Sequence, residues 1–219
     1  MKLDKSTIID AALDLLNAVG IDALSTRALA QKLGVQQPAL YWHFKNKRAL
    51  LDALNAELLV RYDACEPVPG ETWQSFLRRN VSAFRHALLS VRDGARLHAG
   101  TEADPENLEK IEAMIVFMAD QGLAPADVMA LNIAASRYAV GCVLEEQSEP
   151  PSAERTAALD SRAAAFPALA AGIASYRNNS PEAHFLAGLD LLIVGFEAKY
   201  VSGPISPPAS QTSSPVPNS

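Results

Sequence analysis

Apolar residues recur along this chain at helical spacing, and no stretch alternates as a strand would. Ile8, Ile9, Ala12, Leu13, Leu16 and Val19 share one side of a first helix, with Ser6 as its expected cap and Gly20 as its end. Ala28, Leu29, Ala30 and Leu33 form a second face behind Ser25, whose hydroxyl can accept from an orphan N–H of the first turn. Gly34 falls where a left-handed cap is wanted, and Pro38 falls in the first turn of a third helix. Lys47–Tyr62 reads as a fourth helix, with Leu50, Leu51, Leu54, Leu58 and Leu59 apolar. Pro67, Pro69 and Gly70 then break the chain.

Thr72 caps a fifth helix running through Trp73, Phe76, Leu77, Asn80, Phe84 and Leu88. A short segment, Asp93–His98, precedes Ala99-Gly100-Thr101. Helices are expected over Pro105–Gln121, Pro125–Gln147 and Phe166–Tyr176, and from Pro181 onward. Residues 148–165, rich in Glu, Pro, Ser and Ala, read as a surface loop, and the Pro/Ser-rich tail 203–219 as disordered. The expected fold is all-α with about ten helices. Its divisions are a three-helix head (1–46), a connecting helix (47–62), a ligand-binding and dimerisation body (63–202) and the tail (203–219). Val128–Leu144 and Leu186–Phe196 are apolar nearly all round, so they belong in a large core or an interface. A homodimer sealed by a four-helix bundle would bury them.

The first three helices have helix-turn-helix spacing, whose second helix enters the DNA major groove. Gln36, Gln37, Tyr41, Trp42 and His43, followed by Lys45, Lys47 and Arg48, suit that task. Glutamine can pair with adenine, while Tyr, His and Lys hold phosphates. Charge supports it. The chain carries a net −6, but residues 1–50 hold seven Lys/Arg against four Asp/Glu, about +3, leaving about −9 elsewhere. In a homodimer, two such helices would read a palindromic operator with half-sites about one helical turn apart.

Cys65 and Cys142 stand alone, without CxxC spacing, and MKLDKSTIID has no apolar signal core, so a cytoplasmic location is expected. The Val128–Leu144 stretch, interrupted by Asn132, Ser136 and Arg137, reads as too short and polar for a membrane span. On residue types alone, His98 is an interior histidine bonded to a neighbour. A hydrolase built on His98 and Glu145 would need a further ligand cluster and a base that the sequence lacks, so an enzyme is not expected. A helical adaptor would have no use for the Gln-Pro-aromatic-Lys segment.

The strings QQPALYWHFKNKRALLDAL and VRDGARLHAGT resemble the TetR family of transcriptional repressors, and within it the tetracycline repressors, with a looser likeness from Lys2 to about Val201. The resemblance implies an operator-contacting set of Thr26, Arg27, Gln37, Pro38, Ala39, Tyr41, Trp42, His43 and Lys47. It also implies a Mg²⁺ held directly by His98, with Thr101 and the partner subunit's Glu145 acting through metal-bound water. A tetracycline-like inducer would complete the metal sphere. Asn80 and Phe84 match drug-holding positions. Asp63, Glu102, Met114 and Arg137 fall at drug-side positions where the tetracycline repressors carry His, Arg, Gln and His, and Ala103 replaces a proline. The metal side is thus retained while the drug wall is altered, which leaves open a repressor of the same family for another aromatic or polyketide-like ligand. The implied output is a drug-resistance efflux gene.

Overall fold

The computed structural model describes residues 3–62, 66–99, 101 and 107–201. Asp63, Cys65, Gly100, Glu102, Ala103, Pro105 and the 203–219 tail therefore lie outside the described residues. Every regular element among those described is helical.

The head begins with α1 (Lys5–Ala23), α2 (Thr26–Leu33) and α3 (Gln37–Tyr41). Asp4, not Ser6, caps α1, its carboxylate accepting from Thr7 N at 2.8 Å. The aspartate stands directly before the first helical residue, whereas Ser6 is already inside the first turn. The helix breaks at Gly20 as expected, that residue leaving helical geometry (φ 78°, ψ 170°), and a further short turn continues to Ala23. Ser25 Oγ accepts from Ala28 N at 3.1 Å to start α2. Gly34 ends it in the left-handed region at φ 66°, where a Cβ would be strained. Ile8, Leu13, Leu16, Leu24, Leu29, Leu40 and Phe44 pack into one core. Each of these large side chains buried stabilises the head by roughly 1.5–3 kcal/mol.

The fourth helix, α4 (Lys47–Arg61), starts at Asn46 and lays Leu50, Leu54 and Leu58 into the head core. The body follows with α5 (Trp73–Leu89), α6 (Gly94–Ala99), α7 (Leu108–Ala119) and α8 (Pro125–Glu146). It ends with α9 (Ala153–Ala163), α10 (Pro167–Arg177), α11 (Pro181–Phe196) and a π-helical turn, Glu197–Val201. Helix α9 overturns the expected 148–165 loop. Ser152 caps it, accepting from Arg155 N at 3.2 Å, Glu154 lies in its first turn and Arg162 in its last. Alanine supplies the propensity. With Ala163 its only buried residue, the helix has no apolar stripe to betray it.

Helix α8 buries Val128, Leu131, Ala135, Ala139 and Val143, and α11 buries Phe185, Leu189, Ile193 and Phe196. The opposite sides stay exposed, Leu191 at 75 % and Val194 at 62 % on α11, with Met129, Ile133 and Leu144 on α8. One chain thus satisfies only half of each apolar helix. At 22 residues, α8 is by length and composition alone long and apolar enough to cross a membrane. Its inner face, however, packs against α5, α6, α7 and α11.

Candidate operator interface and ligand site

On the head, Leu40 and Phe44 anchor α3 inward and turn its other side to solvent. Pro38, Tyr41, Trp42, His43 and Lys47 are exposed there, Trp42 at 90 %. Arg27 is exposed at the start of α2, and Thr26 and Ala39 are half-buried. Gln37 is held by two contacts: its Nε2 donates to Thr26 Oγ1 at 2.8 Å and to Tyr41 Oη at 3.1 Å. Its Oε1 is the atom left to accept from a partner.

The head docks on the body through polar contacts at the turn between α5 and α6. Asp93 accepts from Ile21 N at 2.9 Å, Asn17 accepts from Arg92 N at 2.8 Å, and Arg96 grips Asp22 at 2.8 Å. The Arg96 hydrogen bond lowers the Asp22 carboxyl below its ordinary pKa. Helix α6 belongs to both halves. Val91 and Leu97 join the head core, while Ala95 packs with Leu88 and Val143 of the body.

His98 projects from the last turn of α6 and is half-buried. Its Nδ1 lies 3.1 Å from Oδ1 of Asn55 on α4. Its ring meets Phe84 of α5 edge to face, centroids 4.9 Å apart. Burial pushes its pKa below the ordinary value, which favours neutral imidazole. Thr101 folds back on it, the backbone N–H and the hydroxyl both donating to His98 O at 3.0 and 2.8 Å. Asn80, one turn before Phe84, donates to Phe76 O at 3.1 Å. Met114 of α7 and Phe84 each pack against the body core. Arg137 and Glu145 are exposed on α8, and neither bonds to His98 among the described residues.

The structure thus gathers His98, Phe84 and Thr101, and it does not bring Arg137 or Glu145 of the same chain to them. Four polar groups were not singled out from the sequence: Asn55, Arg85, Glu146 and Gln147. Asn55 and Arg85 are the only buried polar or charged residues among those described. Each breaks an apolar stripe, which was the available signal. Arg85 forks onto Glu146, and Gln147 stitches α8 to Leu88 O and Val91 O at 3.2 and 2.7 Å.

Among the described residues, no group of three or more His, Cys, Asp or Glu side chains could hold a metal. His98 Nε2 has no protein hydrogen-bond partner there, whereas Nδ1 is taken by Asn55. One imidazole nitrogen with a hydroxyl nearby fits a hard cation that keeps much of its water, as Mg²⁺ does, and does not fit a closed all-protein site.

A basic, aromatic helix-turn-helix on an all-helical body with its own half-buried polar site defines a ligand-responsive DNA-binding regulator. The chain belongs to the TetR family. Residues 8–54 match "Bacterial regulatory proteins, tetR family", and residues 66–200 match "Tetracyclin repressor-like, C-terminal domain". It is 47 % identical over 204 residues to tetracycline repressor protein class D of Escherichia coli, covering 90 % of this chain and 91 % of that one. The crystal structure of TetR from Acinetobacter baumannii AYE shares 44 % identity at a TM-score of 0.73, covering 90 % of this chain and 98 % of that one. A class A TetR in complex with 5a,6-anhydrotetracycline and magnesium shares 38 % identity at a TM-score of 0.69, over 90 % of this chain and 99 % of that one.

Proposed function

We propose that this chain is a transcriptional repressor that binds a palindromic operator as a homodimer and releases it on binding a tetracycline with Mg²⁺. It would act in the cytoplasm on a drug-resistance gene. The observation that carries this reading is His98: a half-buried imidazole held toward the neutral form, with no partner on Nε2 among the described residues, beside Phe84 and Thr101. His98 would hold the Mg²⁺ directly, with Thr101 and the partner subunit's Glu145 acting through its water. The metal supplies a cationic anchor for an oxygen pair of the drug. Phe84 offers a ring contact, Asn80 an amide, and Asp63, Glu102, Met114 and Arg137 match the drug-side positions that the resemblance implies.

Residues 1–46 read DNA, residues 47–62 connect, and residues 63–202 bind ligand and pair the subunits. Thr26, Arg27, Gln37, Pro38, Ala39, Tyr41, Trp42, His43 and Lys47 face the operator, Gln37 toward bases and the cationic and hydroxyl groups toward phosphates. The exposed apolar sides of α8 and α11 supply the dimer seam. Release requires that the ligand bind the DNA-incompetent arrangement more tightly. His98 transmits that preference because α6 packs both on α4 and on the body.

A second ligand class is favoured by one residue: Met114, packed against the body core, carries a thioether at the position where the resemblance implies a drug-contacting glutamine. The experiment is a titration of the purified protein with tetracycline in Mg²⁺ and in EDTA, followed by drug and tryptophan fluorescence, with operator release read by gel shift. Tight, Mg²⁺-dependent binding with release is expected. Operator binding that tetracycline leaves untouched would move the inducer to the second class.

A further inference from the structure

Asn55 is 6 % exposed and sits on α4 between Leu54 and Leu58, both in the head core. A buried amide there costs stability unless it is bonded, and its partner is the His98 ring nitrogen. The seam around it is apolar: Leu54 and Leu58 from α4 share a core with Leu97, the residue before His98. One polar contact therefore joins the helix that follows the operator-reading segment to the side chain that faces the ligand.

The contact also decides which nitrogen of His98 carries the proton. An amide oxygen only accepts, so Nδ1 must donate, and the lone pair is left on Nε2. A metal-binding histidine needs that tautomer, and a partner on its other nitrogen normally fixes it. If the amide were turned over, Nδ1 would accept, Nε2 would hold the proton, and the ring could not bind a cation through Nε2.

We propose that Asn55 is a positioning residue for ligand recognition: its Oδ1 holds His98 as the Nδ1–H tautomer, which presents Nε2 and ties the end of α6 to α4. This rests on His98 being the metal-binding residue proposed above.

The test uses full-length protein as wild type, Asn55→Ala and Asn55→Asp. Long-range ¹H–¹⁵N spectra of the His98 ring, without metal or drug, report the tautomer. Wild type and Asn55→Asp should show protonated Nδ1, since a carboxylate also accepts; Asn55→Ala should show a mixture or protonated Nε2. In Asn55→Ala, the Mg²⁺ concentration needed for half-maximal tetracycline binding should rise roughly 10–100-fold, as for other partners of metal ligands. Asn55→Asp should restore it, and drug-free operator affinity should stay within a few-fold in both variants.

Protonated Nε2 in wild type would overturn the proposal even if Asn55→Ala fails to fold. So would an unchanged tautomer and Mg²⁺ midpoint in Asn55→Ala. Wild-type protein that binds no tetracycline with Mg²⁺ would instead sink the inducer reading, and the ring spectra would still decide the role of Asn55.

Discussion

Glu146→Ala is expected to lower the melting temperature sharply and to loosen the ligand site while sparing the head. Arg85 sits on α5 directly after Phe84, and Glu146 ends α8 directly after Glu145. The pair is bidentate, with Nε–Oε1 at 3.2 Å and Nη2–Oε2 at 2.7 Å. The Arg85 side chain is 6 % exposed and that of Glu146 20 %. The guanidinium also stands 5.1 Å from the Phe185 ring centroid. Removing one partner of a buried pair costs about 3–5 kcal/mol, because the other charge stays in low dielectric without compensation. The partial exposure of Glu146 admits water, so the lower end applies, about 3 kcal/mol. For a chain of this size that corresponds to a drop of about 6–12 °C.

Differential scanning calorimetry at fixed protein concentration measures the drop, concentration mattering for any dimer. The double variant Arg85→Met/Glu146→Leu should recover to within about 1 kcal/mol of wild type, since a well-packed apolar pair can replace a buried ion pair. The tetracycline midpoint should shift in Glu146→Ala, because the pair fastens the helix of Asn80 and Phe84 against α8. Drug-free operator binding should hold, since the head core is a separate cluster. Melting of Glu146→Ala within about 2 °C of wild type would refute the reasoning and mark the pair as effectively solvated.

Thr26→Val removes the acceptor that holds Gln37 Nε2 and frees the amide to turn over. Discrimination at the base pair facing Gln37 should fall by about 1 kcal/mol, roughly fivefold, on a gel-shift series of singly substituted operators, over and above the uniform loss from the hydroxyl's own phosphate contact. His98 gives a pH prediction. Burial holds its folded pKa below the ordinary 6.5, so as pH falls below 6.5 the unfolded chain takes up a proton first and stability declines. The decline stops once pH passes the folded pKa, and His98→Gln should flatten the fall of the urea midpoint as pH drops below about 6.5.

The head was legible because its local rules agree. Ser25, Gly34 and Pro38 each satisfy one backbone requirement, and their order admits few readings other than two helices and a tight turn. The first cap was misplaced by two residues, since Asp4 and Ser6 are both good caps and only the chain's path chooses between them. Helix α9 escaped because a helix with a single buried residue has no periodicity to read. His98 stood out by motif and by type. Its partner Asn55 did not, because a lone asparagine in a leucine stripe looks the same whether it faces water or a ring nitrogen 43 residues away in sequence. Distant pairs such as Arg85 with Glu146 are invisible for the same reason.

In the proposed reading, helix α6 links ligand recognition to operator reading, and the way it is held shows how it could. Its N-terminal end is fixed to the body. A Cβ on Gly94 would stand 2.0 Å from Leu88 O, so only glycine permits that approach. Gln147 accepts from Ala95 N at 3.3 Å while donating to the carbonyls of Leu88 and Val91. The C-terminal end is held differently. There His98 meets α4 through one hydrogen bond and α5 through one ring contact, and Thr101 is bonded only back to His98 among the described residues. A perturbation at His98 therefore acts on the weakly held end of a helix whose other end cannot follow. The apolar seam of Leu97 with Leu54 and Leu58 makes α4, and with it the start of the operator-reading head, the element in contact with whatever moves. Packed interfaces of this kind switch between arrangements instead of deforming smoothly, so in the proposed reading a small change at His98 would become a change in head position.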